Sequence, residues 1–145
     1  MKKILAIILS GVAVSVQAAN EIQSVINLKV TKGSLDVTRS VSQQLTLTAA
    51  KPNAAGFTQS IPTNTAGTEI TLGDVATNGV AWFRNLDTTN YVEIGVQVSG
   101  DFYPFVRLNY GEAWSFRLAQ GVTPYARANA TNNVTVVLEK LIFDN

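Results

Sequence analysis

The chain has 145 residues with 11 basic and 10 acidic side chains, and it contains neither histidine nor cysteine. This length predicts one domain, and the near-neutral charge without a basic block argues against a nucleic-acid partner. The missing residue types exclude Ser-His and Cys-His nucleophilic sites, most zinc and copper sites, and any disulfide framework.

Residues 1–18 have the layout of a secretory signal peptide. A basic start at Lys2 and Lys3 precedes an uncharged apolar run over 4–16, and Ala18 completes a small-x-small cleavage site. The run is shorter than the roughly 20 residues that span a bilayer, so no stable membrane span is expected after signal removal. The alternative is an N-terminal hydrophobic helix that stays on the protein. Residues 19–145 are predicted to form the folded domain.

Two alternating runs open this domain. In 19–30, Ile26, Leu28 and Val30 alternate with polar residues, which predicts a strand whose free edge could pair with another chain. The run over 35–47 continues the alternation, and the apolar residues at its odd-numbered positions are predicted to face the core. These residues are Leu35, Val37, Val41, Leu45 and Leu47.

Residues 49–67 are rich in Ala, Asn, Gly, Pro and Thr, with Phe57 and Ile61 as the apolar anchors. Pro52 and Pro62 restrict the stretch to edge or irregular structure. We predict one long surface loop, with a short edge strand near 57–61. Long loops often carry function, so Phe57 and Ile61 are candidate subunit contacts. A mobile exposed loop is an equally weighted alternative.

Four apolar-rich runs separated by three turn signals occupy residues 79–118. They predict an antiparallel meander, in which Glu93 falls on the exposed face and Trp114 and Phe116 share the core face with Leu118. The closing run, 134–143, is apolar on both faces, which indicates a central strand buried on both sides or a strand that lies in an interface. Eight or nine strands and no amphipathic helix in 19–145 predict an all-β class and a single antiparallel, jelly-roll-like β-sandwich.

Candidate chemistry is sparse. Asp87, Asp101 and Glu112 fall in turns, where acidic residues commonly stabilise local geometry, so no catalytic pair, cofactor site or metal site is predicted. A calcium site built from Asp74 and Asp87 is a weaker alternative that lacks the spacing of a known loop.

Aromatic residues cluster in 82–116, and most are predicted to be core. Trp82 and Tyr103 are candidate exposed aromatic contacts. Exposed aromatic rings could stack on sugars, which keeps a carbohydrate-binding module as one alternative function.

Several blocks in order resemble a group of small β-rich proteins encoded among the structural genes of bacterial viruses. The blocks are FRNLDTTNYVEIGV, FYPFVRLNYGEAWSFRL, PYARA and LEKLIFDN, together with KGSLDVTR at 32–39 and LGDV at 72–75. The resemblance covers roughly residues 28–145. It implies a virion component such as a capsid, decoration or spike subunit, and it carries over no catalytic residues. Unlike this chain, those proteins usually begin at the first strand without an export signal.

These observations together predict a non-enzymatic structural subunit that self-assembles. Its expected partners are copies of itself and other virion or surface-assembly proteins, without nucleic acid or a cofactor. The expected location is the virion, or the periplasm or exterior of a cell if the N-terminal segment is a cleaved signal. An exported extracellular fibre or adhesin subunit is the main alternative.

Overall fold

The computed structural model describes residues 22–47, 54–129 and 133–144, and every regular element in these ranges is a β-strand. The strands are β1 (Ile22–Lys32), β2 (Leu35–Leu45), β3 (Ala54–Pro62), β4 (Thr68–Glu69), β5 (Asn78–Asn85), β6 (Val92–Val98), β7 (Asp101–Leu108), β8 (Ala113–Arg117), β9 (Tyr125–Ala128) and β10 (Thr135–Asp144). The predicted all-β class is confirmed. The predicted signal or N-terminal helix lies outside the described residues.

β1 and β2 form a two-stranded antiparallel hairpin, called the arm below, which is hydrogen-bonded to neither of the other two sheets. Its register runs without a break from Ile22 opposite Leu45 to Lys32 opposite Leu35. A two-residue turn closes it, with Gly33 at a φ of +59°, a conformation that glycine adopts without steric penalty.

The remaining strands form the body, two four-stranded antiparallel sheets. The first sheet has the order β3-β10-β5-β8, and the second has the order β4-β9-β6-β7. Four of the pairings are nested, which means that each pair of strands lies in sequence between the two strands of the pair before it. The pairs are β3 with β10, β4 with β9, β5 with β8, and β6 with β7. The predicted single antiparallel sandwich is therefore confirmed for the body, and the arm is a separate two-stranded addition.

The predicted meander over 79–118 is wrong. β5 and β8 pair in the first sheet, whereas β6 and β7 pair in the second. The chain crosses between sheets through 86–91 and 109–112, and such links are longer than the two-residue loop of a tight hairpin. β6 and β7 do form a tight hairpin, whose turn places Ser99 and Gly100 at φ values of 54° and 93°.

The core lies between the two sheets, with Phe83 as its largest fully buried apolar side chain. β10 contributes Val136, Leu138 and Ile142 on its inner face and lies between β3 and β5, so the predicted central position is confirmed. Within the described ranges, no helix is long and apolar enough to cross a membrane.

In the part of 49–67 that the structure describes, the predicted edge strand near 57–61 is confirmed, but it is longer than predicted and replaces much of the predicted loop. β3 is a nine-residue edge strand that pairs with β10 from Pro62 opposite Thr135 to Ala54 opposite Phe143. Its proline stands at the end of the strand, where no further ladder bond is needed. Residues 48–53 lie outside the described residues.

Candidate assembly surface

The arm is amphipathic from end to end. The register places eight apolar side chains on one surface, called the arm's apolar face: Ile22, Ile26, Leu28, Val30, Leu35, Val37, Val41 and Leu45. The opposite surface carries mainly Ser, Thr, Asn, Gln and charged residues, with Val25 as its one apolar side chain. On that side Ser40 Oγ donates a 2.6 Å hydrogen bond to Asn27 Oδ1. The pattern is that of a strand pair with one buried and one solvated face.

The arm's apolar face is nevertheless largely exposed. Leu28 retains 55% of its side-chain exposure, Ile26 51% and Val41 49%, whereas Ile61 and Phe83 in the body are completely buried. The prediction that the apolar residues of 35–47 face the core is wrong for Leu35 and Val41, which are about half exposed, whereas Leu45 at the base is half-buried against the body. An isolated hairpin is only marginally stable in water, and a continuous exposed apolar surface commonly marks an interaction site.

The base of the arm lies against the body. A cleft of about 120 Å³ has Ser24, Ile26, Gln43 and Leu45 on the arm side, and Val80, Ser115, Phe116 and Arg117 on the body side. A second cleft, of about 270 Å³, lies between Val25, Ile26 and Asn27 on the arm and Trp82, Ala113, Trp114 and Ser115 on the first sheet. Neither cleft includes a residue between 28 and 42, so the distal arm has no part in them.

The candidate contacts predicted from sequence fall in two places. Ile26, Leu28 and Val30 lie together on the arm's apolar face, where their side chains are exposed as well as their backbone edge. Phe57 lies on edge strand β3 and is 42% exposed. Ile61 lies on the same strand, but its side chain is buried in the core, so it can offer only backbone to a neighbour.

The two candidate aromatic contacts lie on different sheets. Trp82 on β5 is half-buried and lines the larger cleft, together with Trp114 of β8. Tyr103 on β7 is 54% exposed. The prediction that Trp114 is core is wrong, since 55% of it is exposed at the edge strand, while Phe116 is half-buried against the Phe83 ring.

Glu93 is buried rather than exposed, which corrects the prediction from alternation. It lies between cross-strand neighbours Arg107 and Arg127, which donate hydrogen bonds of 3.0 and 2.7 Å to its two oxygens. Burial alone would raise the pKa of the Glu93 carboxyl, but the bonds from Arg127 and Arg107 outweigh it and lower the pKa below its ordinary value. Alternation in the sequence does not predict this cluster, because it cannot show that one carboxylate on β6 accepts hydrogen bonds from arginines on two neighbouring strands.

Lys140 is a buried charged group that the sequence pattern did not single out. It occupies a core-facing position of β10, and its Nζ donates to Gln59 Oε1 at 2.6 Å and to the carbonyl of Thr71. The ammonium also lies 4.2 Å from the centre of the Phe57 ring. Burial lowers the pKa of Lys140 to about 8. The bonds tie β10 and β3 to residue 71, which is a structural role.

The acidic turn residues act locally, as predicted for Asp87. Its carboxylate accepts hydrogen bonds from the backbone N–H groups of Thr89 and Asn90, and these bonds lower the pKa of Asp87. Across 22–47, 54–129 and 133–144, no group of three or more histidine, cysteine, aspartate or glutamate side chains could hold a metal ion. The weaker prediction of a calcium site at Asp74 and Asp87 therefore gains no support.

Comparison of the chain with models of protein families gives no match, and a search of curated proteins gives no significant match. The resemblance to structural proteins of bacterial viruses stays a prediction. The role of the chain must therefore be inferred from its own surfaces, among which the arm's apolar face is the most unusual for a folded domain.

Proposed function

We propose that this chain is a non-enzymatic structural subunit that self-assembles through its arm, as a capsid, decoration or spike component of a virion. The observation that carries the proposal is the arm's apolar face, which is built over two eleven-residue strands and which the described part of the chain leaves largely exposed. A protein that worked as a monomer would gain nothing from keeping such a surface in water, where it favours aggregation.

The strand order of the body supports the same role. Nested pairings spread over two four-stranded sheets match the double-sheet jelly roll, and we infer that fold for the body. Jelly rolls occur in viral capsid proteins and also in lectins, so the fold alone does not choose between assembly and sugar binding. The arm is the feature that favours assembly.

The size of the surface argues for several contacts per subunit. Fully burying one large apolar side chain is worth about 1.5–3 kcal/mol, and these side chains are about half exposed, so each adds about 1 kcal/mol. The five most exposed side chains of the arm's apolar face would then give about 5 kcal/mol in total, and association costs about as much in lost freedom. One arm contact is thus weak, and a closed assembly with two contacts per subunit would be stable.

Light scattering behind size exclusion, on protein purified after expression of the full chain, tests the proposal. We expect a discrete oligomer for the wild type and a shift toward monomer for Val41→Ser. Val25→Ser is the matched control, since Val25 is 55% exposed against 49% for Val41 and lies at the base of the arm on its polar side. It should leave the oligomer unchanged.

Other outcomes would redirect the assignment. Open, heterogeneous polymers would favour the exported fibre or adhesin alternative over a closed virion component. A wild-type monomer at high concentration would contradict self-assembly and would favour the carbohydrate-binding alternative, which the pairing of Trp82 and Trp114 in one cleft would then serve.

A further inference from the structure

We propose that the arm's apolar face of one copy lies on the outer face of the first sheet of a second copy, with Arg39 opposite Glu139. This inference rests on the proposed self-assembly and names the two surfaces that meet. The outer face is defined here by five of the side chains of β5 and β10 that point away from the core: Trp82, Val137, Glu139, Leu141 and Phe143. Val80 points the same way but is covered at the base of the chain's own arm.

The outer face is apolar and grooved. Val137 is 40% exposed, and Leu141, Phe143 and Trp82 are half-buried although no other layer of the sandwich covers them. A groove of about 220 Å³ runs beside Glu139, with Trp82, Leu141 and Thr58 among its walls. Gly56 helps to form it, since a Cβ there would lie 3.0 Å from Leu141 Cδ1. A bulky apolar side chain from another chain could enter this groove.

The arm already uses the same kind of surface within its own chain. At its base, Ile26 and Leu45 of the apolar face line a cleft whose other wall includes Val80 and Ser115, on the outward side of the first sheet. The distal arm continues the same apolar face past that contact. The part of the first sheet formed by β10 offers a similar apolar surface, and the distal arm of a neighbour can cover it.

The charged residues favour packing of the arm on the outer face of the first sheet over packing of two arms face to face. The arm's apolar face carries Arg39, which stands opposite Leu28, and Lys32 near the tip, but it carries no acidic residue. Two arms packed face to face would bury two Arg39 guanidinium groups without a counter-ion, which is strongly unfavourable. The outer face of the first sheet does provide a carboxylate, that of Glu139, between its apolar residues.

Glu139 is able to accept a second arginine. Its carboxylate is 39% exposed, and the nearest guanidinium nitrogen, that of Arg84, is 3.9 Å away, a distance too long for a good hydrogen bond. Glu93 in the second sheet already lies between two arginines, Arg107 and Arg127. The same arrangement at Glu139, completed by Arg39 of the next copy, would satisfy both charges of the interface.

The contact is heterologous, because the arm and the receiving sheet are different surfaces. Each copy can then give its arm to one neighbour and receive the arm of another. A rotation that closes gives a ring, and one that does not close gives a fibre.

Charge reversal tests the inference on the full chain. Arg39→Glu and Glu139→Arg should each weaken association at least about tenfold by light scattering, because each brings two like charges together. The double variant should recover most of the wild-type association. Lys29→Glu, which changes the same charge on the polar side of the arm, should leave association unchanged. Glu139→Gln should give an intermediate loss, and circular dichroism should show a native fold for each variant.

The outcomes separate this inference from the proposed function. A wild type that assembles while Glu139→Arg assembles equally well would overturn the receiving surface and leave self-assembly intact. Tighter association of Arg39→Glu would indicate arm-to-arm packing, which also overturns it. A wild type that never assembles would overturn both.

Discussion

The arm and the body are built from the same kind of strand, with apolar and polar residues in alternation, but they end in opposite states. In the body the two sheets cover each other, and Ile61, Val92 and Ile94 are completely buried. In the arm the equivalent side chains, such as Leu28 and Leu35, stay more than half exposed. Alternation therefore identifies an apolar face that favours burial. Whether the same chain buries that face depends on whether the fold places a second sheet against it.

Polar groups show the same contrast. Asn85 is completely buried, and its side chain bonds three backbone groups: it donates to the carbonyls of Asn90 and Leu108 at 2.8 and 3.1 Å, and it accepts from the N–H of Asp87 at 2.9 Å. Among the described residues, no buried side-chain nitrogen or oxygen lacks a partner. In the arm the side-chain bonds, such as Ser40 to Asn27, are exposed to water. The body is thus complete as a folded unit, and the arm is not.

The largest expected effect comes from Gly95→Ala. A Cβ at Gly95 would lie 2.1 Å from the carbonyl oxygen of Tyr103, where the β6–β7 pairing shifts its register. Because backbone must move, we expect a loss of at least about 4 kcal/mol in the free energy of unfolding. In the arm, Gly33→Ala meets no atom within 4 Å and only its φ of +59° is unfavourable, so about 1–2 kcal/mol is expected, and only for the arm. Urea denaturation that gave equal losses would contradict the contrast.

Asn85→Ala should cost about 3 kcal/mol, because it removes three hydrogen bonds, one to the buried carbonyl of Leu108 and two to the part-buried carbonyl of Asn90 and N–H of Asp87. The matched change in the arm is Asn27→Ala, which removes an exposed hydrogen bond from Ser40. We expect that change to alter the stability by less than about 0.5 kcal/mol. Thermal unfolding of both variants measures the difference, and a large effect of Asn27→Ala would show that the arm is held by its own polar bonds.

Alkaline pH should stabilise the body by about 2 kcal/mol through Lys140. The pKa of the buried ammonium is about 8, whereas an unfolded chain keeps the proton to about pH 10.4. Between these values the unfolded state binds more protons, so the free energy of unfolding rises with pH. Below pH 8 both states are protonated, and the full penalty of burying the charge remains.

Lys140→Met is the control for that pH dependence, since it removes the titrating group and keeps an apolar side chain of similar length. Lys29→Met, an exposed change in the arm, should preserve the wild-type slope. Urea denaturation from pH 7.5 to 10.5 gives the three slopes. A wild-type slope equal to that of Lys140→Met would show that the ammonium is not buried in solution.

The smallest expected effect on the fold is that of Val41→Ser. The side chain is 49% exposed in a single copy, so the unfolding transition of the monomeric body should move by less than about 0.5 kcal/mol. The same change should weaken assembly, as proposed above. Dilution until both proteins are monomeric separates the two effects, and a large loss of monomer stability would mean that the arm is part of the core.

Sequence reasoning found the strands and the class of fold, because apolar alternation and turn signals are local properties. The central place of β10 could be predicted for the same reason, since apolar residues occur on both of its parities. The turn signals alone could not show whether consecutive strands of 79–118 pair with each other or belong to different sheets. A six-residue link such as 86–91 can close a hairpin or cross to another sheet, and the crossing is accompanied by contacts that are distant in the chain, such as the hydrogen bond from Asn85 to the carbonyl of Leu108.

The candidate surface was predictable only in part. Ile26, Leu28 and Val30 were found as an exposed edge, but their exposed apolar side chains depend on the overhang of the arm, which no local pattern encodes. Glu93 and Lys140 were missed because their partners, Arg127 and Gln59, lie 34 and 81 residues away in sequence. The outer face around Glu139 is indicated only ambiguously by the sequence, since apolar residues on both sides of a strand are typical of burial within the domain as well as of an interface.

Hydrogen exchange on the wild-type chain shows whether a neighbouring copy completes the arm, as proposed. At a concentration where the protein is monomeric, amides of β1 and β2 should exchange far faster than those of β5, β6 and β10. At a concentration where it assembles, the arm's amides should become protected while the body changes little. An arm as protected as the body in the monomer, or one that stays unprotected in the assembly, would contradict the proposal.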